Sequence, residues 1–252
     1  MAPRGCDLAD RPAVDPWTPW LAAAAGAAVV AALGLIWLYA PVEAVTGLSQ
    51  KIFYFHVPSA WAMYAATGLC AVASTVYLVT NAERADALAA AAGSVALLFC
   101  VVVLVTGPIW ARAAWSVWWS WEPRLTTVLV LGLILAAYAV LRKAAERTPR
   151  LARFAAALAV LAAIDLPLIH LAVRKWRGNH PTVLGRGGGG ITPEMAVTLG
   201  VGLAAFTILA FVLLRLRYRL ELARRELARL TVVGLASSPP ATPGRESCPP
   251  KS

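Results

Sequence analysis

The chain has 252 residues, 60% of them hydrophobic and 14% charged, with a mean hydropathy of +0.67 and a formal net charge of +10. An ordinary soluble domain has a smaller apolar share and a larger charged one, so these values exclude that class and point to a polytopic membrane protein. The surplus of Lys and Arg is then a topology signal rather than a nucleic-acid footprint, because cytoplasmic loops collect basic residues. The partner implied at this level is the lipid bilayer, with no nucleic acid.

Residues 1–16 are polar and of mixed charge and read as a loose tail. Apolar runs follow at 17–40, 57–80, 87–110, 125–141, 154–173 and 195–214. Each suits a helix crossing about 30 Å of hydrocarbon, the fourth being short. The first run is longer than a signal-peptide core and has no polar cleavage segment after it, so it reads as an anchor that stays. Backbone groups in lipid have no water to bond, so six helices that satisfy themselves are predicted. The expected fold is therefore an all-α bundle of six transmembrane helices over 17–214. The segment 214–230 reads as a basic amphipathic helix leaving span six, a solvated extension held by anionic headgroups. The Pro- and Ser-rich residues 237–252 are predicted to be disordered, and 215–252 together form a basic helix and tail.

Orientation follows from the basic residues beside the spans. Arg4, Arg11, Arg84, Arg142, Lys143, Arg147, Arg150, Arg153, Arg215, Arg217, Arg219, Arg224, Arg225 and Arg229 share one side, a total of 14. Lys51, Arg112, Arg124, Arg174, Lys175, Arg177 and Arg186 share the other, a total of 7. Both termini are accordingly expected in the cytoplasm, with the loops after spans one, three and five facing outward.

Each outward loop enters its next helix through a proline, Pro58, Pro123 and Pro193, where the missing N–H would be unpaired anyway. Thr192 is a candidate N-cap before Pro193. On this reading His56 and Glu122 stand just before helix starts. The segment 110–127, WARAAWSVWWSWEPRLTT, holds five of the ten tryptophans: Trp110, Trp115, Trp118, Trp119 and Trp121. Trp118 and Trp119 are adjacent and cannot share one helical face, so a loop or short surface helix offering indoles to a flat ligand is expected. Indoles are also at ease at a membrane interface.

The three histidines are His56, His170 and His180. His56 and His180 fall on the same side as the tryptophan segment. A single interfacial histidine is commonly a polar anchor. Two of them beside an indole platform suit haem iron, which takes axial imidazole readily. Zinc lacks an evident third ligand. Indoles can cover the faces of a porphyrin, and Arg112, Arg124, Arg174, Lys175 and Arg177 are available either for its propionates or for lipid headgroups. Asp165 and His170 lie within span five: Asp165 reads as a buried hydrogen-bonded structural group, His170 as a supporting group or proton relay. Pro167 between them predicts a kink. Cys6, Cys70, Cys100 and Cys248 contain no CxxC pair, and Cys70 and Cys100 read as packing residues. The run 187–190 is a glycine loop without phosphate-cradle context.

With these residues in view the chain resembles the haem exporter protein C family of cytochrome c maturation. The resemblance rests on YFHVPSAW around His56, on WSVWWSWEPRLT, on His180 in NHP, and on IDLPLIHLAV, and it covers about 50–214. Against the family pattern, Glu122 stands where Asp is usual and Ser116 where Gly is usual, and RKWRGNH has one tryptophan where relatives often have two. The resemblance implies a protein of the bacterial inner membrane that is not an enzyme. It would bind haem b at the periplasmic face, with His56 and His180 as axial iron ligands. Trp115, Trp118, Trp119 and Trp121 would contact the porphyrin, and Glu122 and Arg124 would support the site. Implied partners are ABC-type transporter subunits and a membrane-anchored periplasmic haem chaperone. The alternatives are a cytochrome c synthase subunit, whose relatives have longer chains, and a solute or proton transporter using Asp165 and His170.

Overall fold

The computed structural model describes residues 16–44, 46–145, 148–175 and 191–237. Long apolar runs without a competing β pattern become helices: α1 Trp17–Gly34, α2 Phe53–Thr80, α3 Glu83–Trp115, α4 Pro123–Ala145, α5 Pro149–Lys175 and α6 Pro193–Ser237. All six, counting the turns that extend α1 and α2, are long and apolar enough to cross a membrane. No strand occurs among the described residues, so the all-α expectation holds. The predicted tails at 1–15 and 238–252 lie outside the described residues.

Two expectations about the ends are corrected. The fourth span is not short, because α4 runs 23 residues from Pro123. The basic segment after span six is not a solvated helix held by headgroups alone. It continues α6 to 45 residues, about 67 Å at 1.5 Å per residue. Its arginines bond to carboxylates: Arg225 donates to Asp86 at 2.7 Å and to Glu221 at 3.1 Å, and Arg229 pairs with Glu83. Asp86 also receives Arg142 at 2.5 and 3.0 Å, so one carboxylate joins α3, α4 and the α6 extension. Acidic Glu83 and Asp86 in the first turn of α3 also suit its positive dipole end. At the same end Arg153 donates to Asn81 and Arg219 to Thr18. The loops grouped by their basic residues therefore do share one end of the bundle.

Lipid gives no hydrophobic reward for helix association, so close packing of small residues does that work. Ala62, Met63, Ala66, Ala96, Phe99, Cys100, Leu131, Leu135 and Ile169 form the main core between α2, α3, α4 and α5. α2 and α3 pack along each other, as do α4 and α5, while α1 leans on α6. Cys70 and Cys100 are buried free thiols within this packing, as expected.

Candidate functional site

The end opposite the Asp86 network gathers the sequence-predicted residues, and the chain reaches it through an irregular segment. α1 ends in a π turn, Leu35–Tyr39, closed by the Ala40 N–H donating to the Leu35 carbonyl at 2.8 Å. Lys51 is 5% exposed; its Nζ donates to the carbonyls of Ile36 at 2.5 Å and Ala40 at 3.3 Å and lies 5.5 Å from the Trp37 ring centre. A cation at a helix C-terminus complements its dipole and its unpaired carbonyls. Sequence reasoning counted Lys51 only as an outward charge, and its place five residues before His56 was the available signal.

Lys51 belongs to a 3-10 turn, Leu48–Ile52, that runs directly into α2. This corrects the placement of His56. The histidine does not precede the helix; it is the fourth residue of α2, and Pro58 lies inside that helix. The proline rule locates a helix start to within a turn, and here the 3-10 turn draws the start five residues ahead of Pro58. Pro123 and Pro193 do open α4 and α6. The Met195 N–H donates to Thr192 Oγ1 at 3.4 Å, a weak form of the predicted cap.

From α2 the half-buried His56 ring meets α3. Its Nδ1 is 2.9 Å from Thr106 Oγ1, and a Cβ added to Gly107 would lie 3.5 Å from its Cε1. Sequence reasoning passed over Thr106, a lone hydroxyl in the apolar run before Trp110.

The tryptophan segment divides between two kinds of structure. Trp110 and Trp115 sit on the last turns of α3, edge to face with ring centres 5.0 Å apart. Residues 116–122 form the connecting loop, where Trp119 and Trp121 make a second edge-to-face pair at 5.8 Å. Trp110, Trp115, Trp119 and Trp121 thus form two T-shaped pairs rather than one flat platform. Trp118 and Trp121 are 61% and 76% exposed, whereas Trp119 Nε1 and Ser120 Oγ are buried without a hydrogen-bond partner among the described residues. A buried donor without an acceptor costs about 1–3 kcal/mol.

The loop starts at Ser116, whose N–H donates to the Arg112 carbonyl at 3.1 Å and whose φ is +62°. Arg112 donates in turn to the Ser116 carbonyl, so it closes α3. A left-handed φ favours glycine, the residue usual here in the family pattern. Ser116→Gly is expected to stabilise the protein by about 0.5–1 kcal/mol, the left-handed penalty less glycine's entropy. A thermal melt in detergent that is unchanged or lower would contradict this.

Glu122 immediately precedes α4, and its carbonyl accepts from the Thr126 N–H at 3.0 Å and hydroxyl at 2.9 Å. Arg124, half-buried in the first turn of α4, is within electrostatic reach of Glu122, Tyr64 and His56. His56, Glu122, Arg124 and the α3 end therefore come together. The second histidine, His180, lies outside the described residues, as do Arg177 and the glycine run. Lys175, at the end of α5, is exposed. In α5 the helix continues through Pro167, His170 is exposed, and Asp165 is only 6% exposed. Asp165 is buried as expected, and its Oδ2 has no hydrogen-bond partner among the described residues.

No group of three or more His, Cys, Asp or Glu capable of holding a metal ion occurs among the described residues. Among the described residues this end of the bundle brings the His56 imidazole and the Arg124 guanidinium together beside the indole-bearing end of α3 and its loop. The family model described as "Heme exporter protein C" matches residues 10–233. The chain is 35% identical to the "Heme exporter protein C" of Bradyrhizobium diazoefficiens over 85% of this chain and 82% of that protein. It is 31% identical to that of Paracoccus denitrificans, over 84% and 89%, and 33% identical to that of Escherichia coli, over 80% and 82%.

Proposed function

The chain belongs to the haem exporter protein C family, and from that premise we propose that it binds haem at the periplasmic face of the bacterial inner membrane and takes part in its delivery for c-type cytochrome biogenesis. The observation that carries this reading is the convergence at one end of the bundle of His56, Arg124 and the indole-rich loop. His56 and His180 are the axial ligands of one haem b. Trp115, Trp118, Trp119 and Trp121 contact the porphyrin, and aromatic contact of this kind is worth about 0.5–1.5 kcal/mol per pair beyond the area buried. Arg124 answers the propionates and Glu122 holds Arg124. The cargo passes to a membrane-anchored periplasmic haem chaperone, and ABC-type transporter subunits are the partners in the membrane.

Both termini are then cytoplasmic, as the 14 to 7 division of basic residues supports. Reporters fused after Leu230 and inserted near Gly188 test this together with the pigment. The expected result is cytoplasmic activity for the first, periplasmic for the second, and a six-coordinate haem spectrum in the purified protein. The opposite reporter pattern, or a colourless protein that cannot be loaded with haem, defeats the proposal.

A further inference from the structure

We infer that Thr106 is the positioning residue for His56: it fixes the imidazole as the Nδ1–H tautomer, so that Nε2 carries the lone pair used toward iron. The inference rests on the reading of His56 as an axial ligand, and it adds a residue from another helix, fifty positions away in sequence.

The threonine proton is directed along its own helix. Thr106 Oγ1 lies 2.8 Å from the Val102 carbonyl, one helical turn back on α3, and 3.5 Å from the Val103 carbonyl. A carbonyl only accepts, so the hydroxyl is the donor in that contact. In an apolar helix this is the ordinary fate of a threonine proton: Thr67 donates to Met63, Thr75 to Ala71 and Thr127 to Pro123, at 2.8 to 2.9 Å. A hydroxyl has one proton. With it directed along α3, the side of the oxygen that faces His56 presents lone pairs.

His56 Nδ1 is 2.9 Å from that oxygen. Two lone pairs facing each other across such a gap would repel, so the hydrogen bond requires a proton on Nδ1. A neutral imidazole with its proton on Nδ1 carries its basic lone pair on Nε2. Histidines that bind metals commonly hand their other ring N–H to a neighbouring acceptor, which sets both the tautomer and the ring orientation. Here a threonine hydroxyl fills that place.

The neighbouring residue completes the seat. Gly107 has no side chain, and a Cβ there would come within 3.5 Å of the ring's Cε1. One position of α3 thus supplies the polar contact, and the ring edge lies over the next, at ordinary van der Waals distance from where a Cβ would stand. The Thr106 contact from one rigid helix orients the ring as well as its proton.

The test uses the full-length protein in lipid nanodiscs, first without haem. The chain has three histidines, so ring-15N labelling gives three sets of signals, and the set lost in His56→Gln identifies His56. The expected result is a neutral His56 with the proton on Nδ1 in the wild type and in Thr106→Ser, which keeps the hydroxyl. In Thr106→Val, which keeps the shape and removes the acceptor, the population shifts toward Nε2–H. Haem-loaded Thr106→Val should then lose haem about 10–100-fold more readily to a haem-scavenging protein, as for other lost supporting bonds, while Thr106→Ser stays near the wild type. A wild-type His56 already protonated on Nε2, or a tautomer unmoved in Thr106→Val, overturns the inference. So does a shifted tautomer with unchanged haem loss. If His56→Gly keeps its native iron coordination, the ligand reading fails instead, and the tautomer measurement, made without haem, shows which of the two was wrong.

Discussion

Glycine at His56 is expected to strip most of the haem from the purified protein and to change the coordination of what remains. The ring sits on α2 against α3, with Nδ1 at the Thr106 hydroxyl, and a glycine there removes the imidazole altogether. Loss of a supporting bond alone costs about 10–100-fold in metal affinity, and loss of the ligand itself should cost at least that much. Glycine leaves a cavity of roughly imidazole shape, so free imidazole should restore much of the six-coordinate spectrum. His170 supplies the control, since it is exposed on α5 and glycine there should leave ligation intact. If His170→Gly abolishes the spectrum while His56→Gly retains it, the axial assignment is wrong.

The second large effect is on the fold itself. Gly93 of α3 faces Tyr138 of α4 so closely that an added Cβ would lie 2.3 Å from Tyr138 Cε1 and 2.8 Å from Cδ1. The tyrosine is 2% exposed and enclosed by Cys70, Ala92, Ala155 and Ala159, so its ring has nowhere to turn. Overpacking a well-packed core costs about 1–3 kcal/mol, and a β-branched side chain against a ring held on all sides should reach or exceed the upper figure. Gly93→Val should therefore melt much earlier than the wild type or fail to accumulate in the membrane. Adding Tyr138→Ala should recover part of the loss, because two residues in contact are energetically coupled. A Gly93→Val protein with an unshifted melt would show that α3 and α4 do not cross here as described.

The prediction for His56 concerns a residue readable from the sequence, and the prediction for Gly93 one that was not. The difference is physical. A bilayer about 30 Å thick imposes a length on every span, and the avoidance of charge within it leaves long apolar runs whose number and order need no partner to be recognised. The same solvent sorts basic residues by side, which is why Arg84, Arg142 and Arg225 could be grouped before their shared end of the bundle was seen. The indole-rich run and the segment around His56 stand out for the same reason, as polar and aromatic matter in a chain that is otherwise apolar.

What the apolar runs do not carry is a face. A helix in lipid is apolar all round, so its sequence lacks the periodic stripe that marks the buried side of a helix in water. Which glycine meets which ring, Gly93 with Tyr138, was therefore decided by the packing of α3 on α4. The hydrogen bond from His56 to Thr106 and the burial of Lys51 against the last carbonyls of α1 are decisions of the same kind. Each joins residues from separate segments, at distances that exist only once the helices have packed. Sequence alone determined that this chain is a six-helix membrane protein of a haem-handling family. Tertiary structure decided that His56 rides on a helix, which hydroxyl holds it, and that the indoles pair edge to face, because these depend on helix contacts that a lipid solvent leaves unmarked in the sequence.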